Sequence, residues 1–138
     1  IGRMINWSKI RQENGASIDS IAREFNVVRI VDVPEYIEHA EYKHYLFVNP
    51  ENLKSDWTRD RIVEEIGSRG VPCFQGSCSE VYLEKAFDGT GWRPEQRLLN
   101  ARALGETSLM LLVHPTLTKQ EINKTCDVLA RVLAEAQK

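Results

Sequence analysis

Apolar positions along the chain alternate between a helical spacing and short extended runs. Amphipathic helices carry apolar residues at i, i+3 and i+4, whereas strands are short runs rich in branched and aromatic residues. Helical spacing occurs in four segments, at about residues 4–25, 58–69, 94–104 and 118–136. Extended runs occur in four others, at 27–33, 42–48, 71–74 and 107–113. This order predicts an α/β chain of the α+β two-layer sandwich type, with helices packed on a small antiparallel or mixed sheet of about three to four strands.

The last helix is the best specified element. Thr118 followed by Glu121 is a capping box, in which each side chain bonds the backbone of the other residue. The apolar residues that follow form one stripe: Ile122, Cys126, Leu129, Leu133 and Ala136. We therefore expect a long amphipathic helix that packs on the sheet through this stripe.

Glycine, proline and threonine predict where the other helices begin and end. Thr58 is a good N-cap for the second helix, and Gly70 stands where that helix should end. Pro94 suits the first turn of the third helix, and Gly105 marks its expected end. Gly15 interrupts the first helical segment, which predicts a kink or break there.

The strand at 42–48 contains the clearest alternation. Side chains on a strand point to opposite faces in turn. Tyr45 and Phe47 should therefore face one side of the sheet, and His44 and Leu46 the other.

Composition narrows the class of protein. The chain has 138 residues, with 18 basic and 20 acidic side chains and a net charge of -2. This is the size of one globular domain. No apolar run approaches the roughly 18 residues of a membrane span, and no signal peptide opens the chain. The balanced charge lacks the basic footprint of a nucleic-acid-binding protein. We expect a soluble domain with no membrane and no nucleic-acid partner.

The three cysteines, Cys73, Cys78 and Cys126, do not form a disulfide framework, because their number is odd. Neither they nor the three histidines have the spacing of zinc ligands, so no metal site is expected. We expect reduced, mostly buried thiols in a cytoplasmic protein. Cys78 near a helix start has the position of an activated thiol, but every histidine is remote in sequence, so no catalytic residue is nominated.

The densest cluster of small polar residues is the CFQGSCS segment at residues 73–79. It leaves a strand, and Ser79 can cap a short helix carrying Val81, Tyr82 and Phe87. Such a turn offers hydroxyl, thiol, amide and backbone N–H groups to an anionic or hydroxylated ligand. On local sequence alone, a helix cap and a tight turn explain the segment better than a ligand does.

Other polar residues have ordinary structural explanations. Arg59, Arg61 and Arg69 are interpreted as solvated charges on the surface of the second helix. His114 follows a buried strand, where a residue that ends the strand is favoured over a ligand contact.

Several segments together resemble one family: the pyridoxal-phosphate-dependent sugar aminotransferases of the DegT/DnrJ/StrS type, fold type I, and specifically their C-terminal small domain. The segments are GRMINWSKIRQENGASI at 2–18, EYKHYLFV at 41–48, TRDRIVEEIGSRGVPCF at 58–74, GSCSEVYLEKAF at 76–87 and SLMLLVHPTLTKQEI at 108–122. Their shared order and spacing carry the resemblance. Leu112 departs from it, because the family commonly has proline before the His-Pro step.

The resemblance implies an enzyme in which a lysine Schiff base holds pyridoxal phosphate, the electron sink for amino transfer to a keto nucleotide-sugar in surface-polysaccharide or deoxyamino-sugar biosynthesis. The family's lysine lies in the large domain, and none of the seven lysines here has its context. Residues 1–25 would lead out of an absent large domain, and 26–138 would form the small domain. We expect this chain alone to be inactive and without cofactor. The parent should be a homodimer that also binds an amino donor.

In the family, the small domain closes over the active site and helps to bind the nucleotide-sugar. Carried over by position, the resemblance marks Gln75, Ser77, Cys78 and Tyr82 as substrate contacts. With the resemblance, ligand binding explains this segment as well as a helix cap and a tight turn do.

Two alternatives stay open. The chain could be a stand-alone α/β module that binds a small metabolite, or an oligomerisation domain that uses its first and last helices. A domain cut from a larger enzyme should expose the apolar residues Met4, Ile5 and Trp7, whereas a stand-alone module should cover them.

Overall fold

The computed structural model describes residues 2–138, which form four helices and four strands. The helices are α1 (Met4–Ala22), α2 (Arg59–Ser68), α3 (Leu99–Thr107) and α4 (Lys119–Ala136). The strands are β1 (Val28–Ile30), β2 (His44–Val48), β3 (Cys73–Phe74) and β4 (Ser108–Leu111). Short 3-10 turns lie at Pro50–Asn52, Val81–Leu83 and Lys85–Phe87. The predicted α+β class is confirmed.

The four strands form one antiparallel sheet in the order β1-β2-β4-β3. Val28 pairs with Val48, Leu46 with Leu109, and Cys73 with Leu111. On β2, His44, Leu46 and Val48 are buried, whereas Tyr45 and Phe47 are half-buried on the other face. The alternation predicted for this strand is confirmed, and every residue of β4 is buried.

The core lies between the inner face of the sheet and the helices α1, α2 and α4. Its fully enclosed side chains include Ile18, Leu46, Ile62, Ile66, Leu109, Leu129 and Leu133. The capping box at Thr118 and Glu121 is present, with both reciprocal bonds formed. Thr58 caps α2 by accepting the amide of Arg61, and Gly70 follows the helix with a φ of +75°.

Two glycines predicted to interrupt helices lie inside them. α1 runs without a break through Gly15, and α3 continues past Gly105 to Thr107. A methyl group on Gly15 would lie 3.0 Å from His44 Nδ1, and one on Gly105 would lie 2.2 Å from Ser79 Oγ. The break predicted at Gly15 and the helix end predicted at Gly105 were both wrong, because each glycine allows a close approach between elements.

Two helix starts also differ from the prediction. α3 begins at Leu99 instead of Pro94, after a stretch that side-chain hydrogen bonds hold against residues 80–84. Ser79 caps no helix: the residues after it form two 3-10 turns that have no side-chain cap. The apolar side predicted for α3 is not buried, since no residue of that helix is buried.

The apolar N-terminal end of α1 faces outward. Met4, Ile5 and Trp7 are 59%, 86% and 42% exposed. The structure therefore has the exposed apolar surface expected of a domain that meets further protein there.

Candidate functional site

An open cleft lies beside the segment that the sequence singled out. One wall runs from Gln75 to Ser79 and on to Glu80, Leu83 and Glu84, and the other wall is formed by Gly105 and Glu106. Its volume is about 420 Å³. Three carboxylates and no lysine or arginine line it. The lining suits neutral or hydroxylated groups better than phosphates.

Gly76 fixes the path of the first wall. Its φ is +92°, in the left-handed region that favours glycine. A methyl group there would lie 2.9 Å from Ser108 Oγ and 3.0 Å from Tyr45 Cε1. The segment therefore turns closely over the outer face of β2 and β4. Next to the glycine, the hydroxyls of Ser77 and Tyr45 share a hydrogen bond of 2.9 Å.

Gln75 is exposed at the start of the cleft. Its side-chain amide donates to Asp60 Oδ1 at 3.0 Å, and its carbonyl accepts from Ser108 Oγ at 2.6 Å. The side chains of Gln75 and Ser77 thus lie on the same wall, where the sequence placed them.

Cys78 lies on this wall as well, but its surroundings do not activate it. Its thiol donates to Glu84 Oε1 at 3.3 Å, and this bond, with the carboxylate charge, raises the pKa of Cys78 above its ordinary value. A raised pKa disfavours the thiolate nucleophile. Cys78 is exposed and Cys126 half-buried, so the prediction of mostly buried thiols holds only for Cys73.

Tyr82 is half-buried beside the cleft, and its hydroxyl is engaged by neighbouring groups. Its hydroxyl donates to Glu80 Oε1 at 2.6 Å and accepts from the amide of Leu98 at 2.9 Å. Arg97 binds both oxygens of Glu80. The bonds from Arg97 and Tyr82 lower the pKa of Glu80 to about 2. Tyr82 therefore ties the 3-10 turn to the stretch before α3, and it is not among the lining residues.

Arg59 is the residue that the sequence interpretation missed. It was predicted to be a solvated surface charge, yet only 12% of its side chain is exposed. Its Nη1 donates to the carbonyls of Gly105 and Ser108, both at 2.9 Å, and to that of Gln75 at 3.4 Å. The one sequence signal near it was its position directly after the Thr58 cap. Arg61 and Arg69 were interpreted as solvated charges as well; they are partly exposed, and they pair with Asp56 at 2.6 Å and Glu135 at 2.7 Å.

A second polar cluster lies on the inner side of the sheet. His44 Nε2 is 3.0 Å from Asp19 Oδ1 on α1, and Nδ1 is 3.2 Å from Glu41 Oε2. Burial would lower the pKa of His44, but the two carboxylates outweigh it and raise the pKa to about 9. Glu41, at a φ of +45°, also pairs with His39 at 3.0 Å. This cluster ties α1 to β2.

Over residues 2–138, no helix is long and apolar enough to cross a membrane. In the same range, no three His, Cys, Asp or Glu side chains are placed to hold a metal ion.

His114 bonds Thr116 Oγ1 at 2.7 Å, beside the end of β4.

Several solved structures of aminotransferases contain a domain similar to this chain. An aminotransferase from Psychrobacter cryohalolentis is 46% identical over 98% of this chain, with a TM-score of 0.90, and the match spans 36% of that protein. A sugar aminotransferase from Micromonospora echinospora is 14% identical, with a TM-score of 0.76, over 94% of this chain and 32% of that one. A DegT/DnrJ/EryC1/StrS aminotransferase from Brucella abortus is 16% identical, with a TM-score of 0.71, over 90% of this chain and 30% of that one.

The fold is therefore that of one small α+β domain of an aminotransferase. The resemblance to DegT/DnrJ/StrS-type sugar aminotransferases is confirmed, and the chain spans about a third of the length of the structures it matches. Comparisons with protein-family models and with curated proteins gave no match.

Proposed function

We propose that this chain is the small domain of a pyridoxal-phosphate-dependent aminotransferase that transfers an amino group to a keto nucleotide-sugar. The observation that carries the proposal is the 46% identity with the Psychrobacter aminotransferase over 98% of the chain. The sugar specificity of the Micromonospora protein, which shares the fold, supports the substrate class.

The domain's contribution is substrate binding in the cleft and closure over the active site. Gln75 and Ser77 lie on the exposed wall, where their side chains already bond Asp60 and Tyr45. A primary amide and a hydroxyl each have more than one hydrogen-bonding position, so both side chains keep a further position for a sugar, whereas Cys78 donates its thiol hydrogen to Glu84. Such groups match the donors and acceptors of a sugar. Tyr82 acts behind the wall, because its hydroxyl is engaged with Glu80 and Leu98.

The cleft does not fit the cofactor. Pyridoxal phosphate carries a phosphate, and the cleft is lined by Glu80, Glu84 and Glu106 without a lysine or arginine. The resemblance assigns the cofactor, which would supply stabilisation of a carbanion, to the large domain of the parent enzyme. Mixing the 138-residue chain with pyridoxal phosphate should give no absorbance band of a lysine imine.

The domain boundary follows from the same proposal. Residues 1–25 would lead out of a large domain, and 26–138 would form the small domain. The exposure of Met4, Ile5 and Trp7 supports this division over a stand-alone module, which should cover these side chains. The homodimer of the parent stays a prediction from the resemblance, and the cytoplasmic location stays a prediction from the unpaired cysteines.

The test uses the longer enzyme that contains this chain and measures its two half-reactions separately. Ser77→Ala and Gln75→Ala should each raise the KM for the keto sugar by about two- to tenfold, the value of one neutral hydrogen bond. The KM for the amino donor and the cofactor absorbance should stay unchanged. Ser68→Ala, at the end of α2 and bonded to the carbonyl of Glu65, is the matched control. Equal effects on both half-reactions, or none, would contradict the proposal.

A further inference from the structure

The two walls of the cleft come from segments that are far apart in sequence. The first begins at Gln75, directly after β3, and the second lies at the junction of α3 and β4. The walls touch at Ser79 and Gly105, where a methyl group on the glycine would lie 2.2 Å from the serine hydroxyl. α3 has no buried residue, so apolar packing does not hold the second wall in place.

The guanidinium group of Arg59 bridges these two walls. Arg59 Nη1 donates to Gly105 O and Ser108 O on the second wall's side, and to Gln75 O on the first. Arg59 Nε donates to Asp60 Oδ1 at 2.7 Å, and the same oxygen accepts the side-chain amide of Gln75. Hydrogen bonds from a charged donor are stronger than neutral ones, and those of a mostly buried donor are weakly screened.

We propose that Arg59 is the positioning residue of this cleft: by holding the carbonyls of Gln75, Gly105 and Ser108, it sets the spacing of the walls and thereby the fit of the sugar. Arg59 does not line the cleft, so it acts through the backbone of both walls. The link to sugar binding rests on the proposed function, whereas the link to wall spacing does not.

Lysine should not replace this arginine. An ammonium is a single point charge on a flexible stem, whereas a guanidinium presents its donors in a fixed planar fork. A lysine at this position would keep the positive charge and lose the bonds that Nη1 and Nε make together. Arg59→Lys therefore separates the geometry of the bridge from its charge.

The first arm of the experiment follows amide hydrogen exchange in the 138-residue chain. Arg59→Lys should speed exchange at residues 75–79 and 104–108 by about tenfold, the effect of losing one charge-assisted bond. Arg61→Lys is the matched control, since Arg61 lies on the same helix and bonds Asp56 through its own Nη1, away from the cleft. If Arg59→Lys does not fold, Asp60→Asn removes the carboxylate that orients Arg59 and should give a smaller change at the same segments.

The second arm measures the two half-reactions in the longer enzyme. Arg59→Lys should raise the KM for the keto sugar about tenfold, again the effect of one charge-assisted bond, and leave the KM for the amino donor and the cofactor absorbance unchanged. A purely structural role would weaken both half-reactions alike and would overturn the inference. Unchanged exchange at both walls would overturn it as well. Faster exchange with an unchanged sugar KM would uphold the role of Arg59 in wall spacing and would instead overturn the assignment of the cleft to the sugar.

Discussion

The half of the molecule built from α1, α2, α4 and the inner face of the sheet differs sharply from the segment at residues 75–107. The first half encloses its apolar side chains: Ile62, Leu109 and Leu129 are each 0% exposed. In the second, Leu99 is 78% and Trp92 77% exposed. Both halves are well-formed structure, so they must be held by different interactions.

Arginines hold the outer segment. Arg93 donates to the carbonyls of residues 82–84 at 2.8–3.0 Å, and Arg97 binds the Glu80 carboxylate. Arg59 ties both ends of the segment to α2. In this segment, directional hydrogen bonds fix the path of the backbone, because few of its apolar side chains are buried.

The largest expected effect tests the packed half. Leu129→Ala should lower the free energy of unfolding by about 2–5 kcal/mol, because it leaves a cavity in the core. Leu99→Ala, the matched change in α3, should alter it by less than about 0.5 kcal/mol, because Leu99 is exposed. Urea unfolding followed by circular dichroism measures both. A similar loss of unfolding free energy in the two variants would contradict the difference between the packed half and the outer segment.

The next effect comes from the His44 cluster, which lies in the packed half. Folding raises the pKa of His44 from 6.5 to about 9, so the protonated form is favoured in the folded state. This stabilisation is complete below pH 6.5 and is lost as the pH rises through 9; its size is on the order of 3 kcal/mol. Unfolding free energies should therefore fall between pH 6.5 and 9.

Asp19→Asn sharpens this test. It removes one of the two carboxylates that raise the pKa of His44 and keeps the size of the side chain. The fall in stability over the same pH range should become shallower, while the pair between His39 and Glu41 stays in place. Parallel pH profiles for the variant and the parent would contradict the account of this cluster.

The smallest global effect is expected in the outer segment. Arg93→Gln removes three bonds to backbone carbonyls, yet the total unfolding free energy should change by less than about 0.5 kcal/mol, since no apolar surface is exposed. Locally, trypsin should cleave after the exposed Lys85 several-fold faster. Arg131→Gln, on the exposed side of α4, is the control. Equal cleavage rates in the two variants would mean that Arg93 does not hold the turn.

The features that could be predicted from sequence are those set by residues close together in the chain. The Thr118 capping box, the Thr58 cap and the alternation on β2 depend on residues close together in the chain, and all were predicted. The strand before Gln75 was also predicted from local pattern, whereas a binding role for Gln75 and Ser77 came only from the resemblance and stays a prediction. Periodicity and capping are local signals, so they suffice for such elements.

The remaining features depend on contacts between distant residues. Arg59 looks like a surface charge until the carbonyls of Gly105 and Ser108, 46 and 49 residues away, are placed beside it. Gly15 and Gly105 look like helix breakers until His44 and Ser79 are seen against them. Tertiary proximity, rather than propensity, decides the role of such residues.

The order of the strands has a consequence for synthesis of the chain. β4 is made last of the four strands but lies between β2 and β3. Until residues 108–111 leave the ribosome, β2 has one unpaired edge and β3 has no neighbour in the sheet. Unpaired edges recruit other chains. A nascent chain stopped before Ser108 should therefore depend on chaperones, and the cooperative transition to the native sheet should come late in translation.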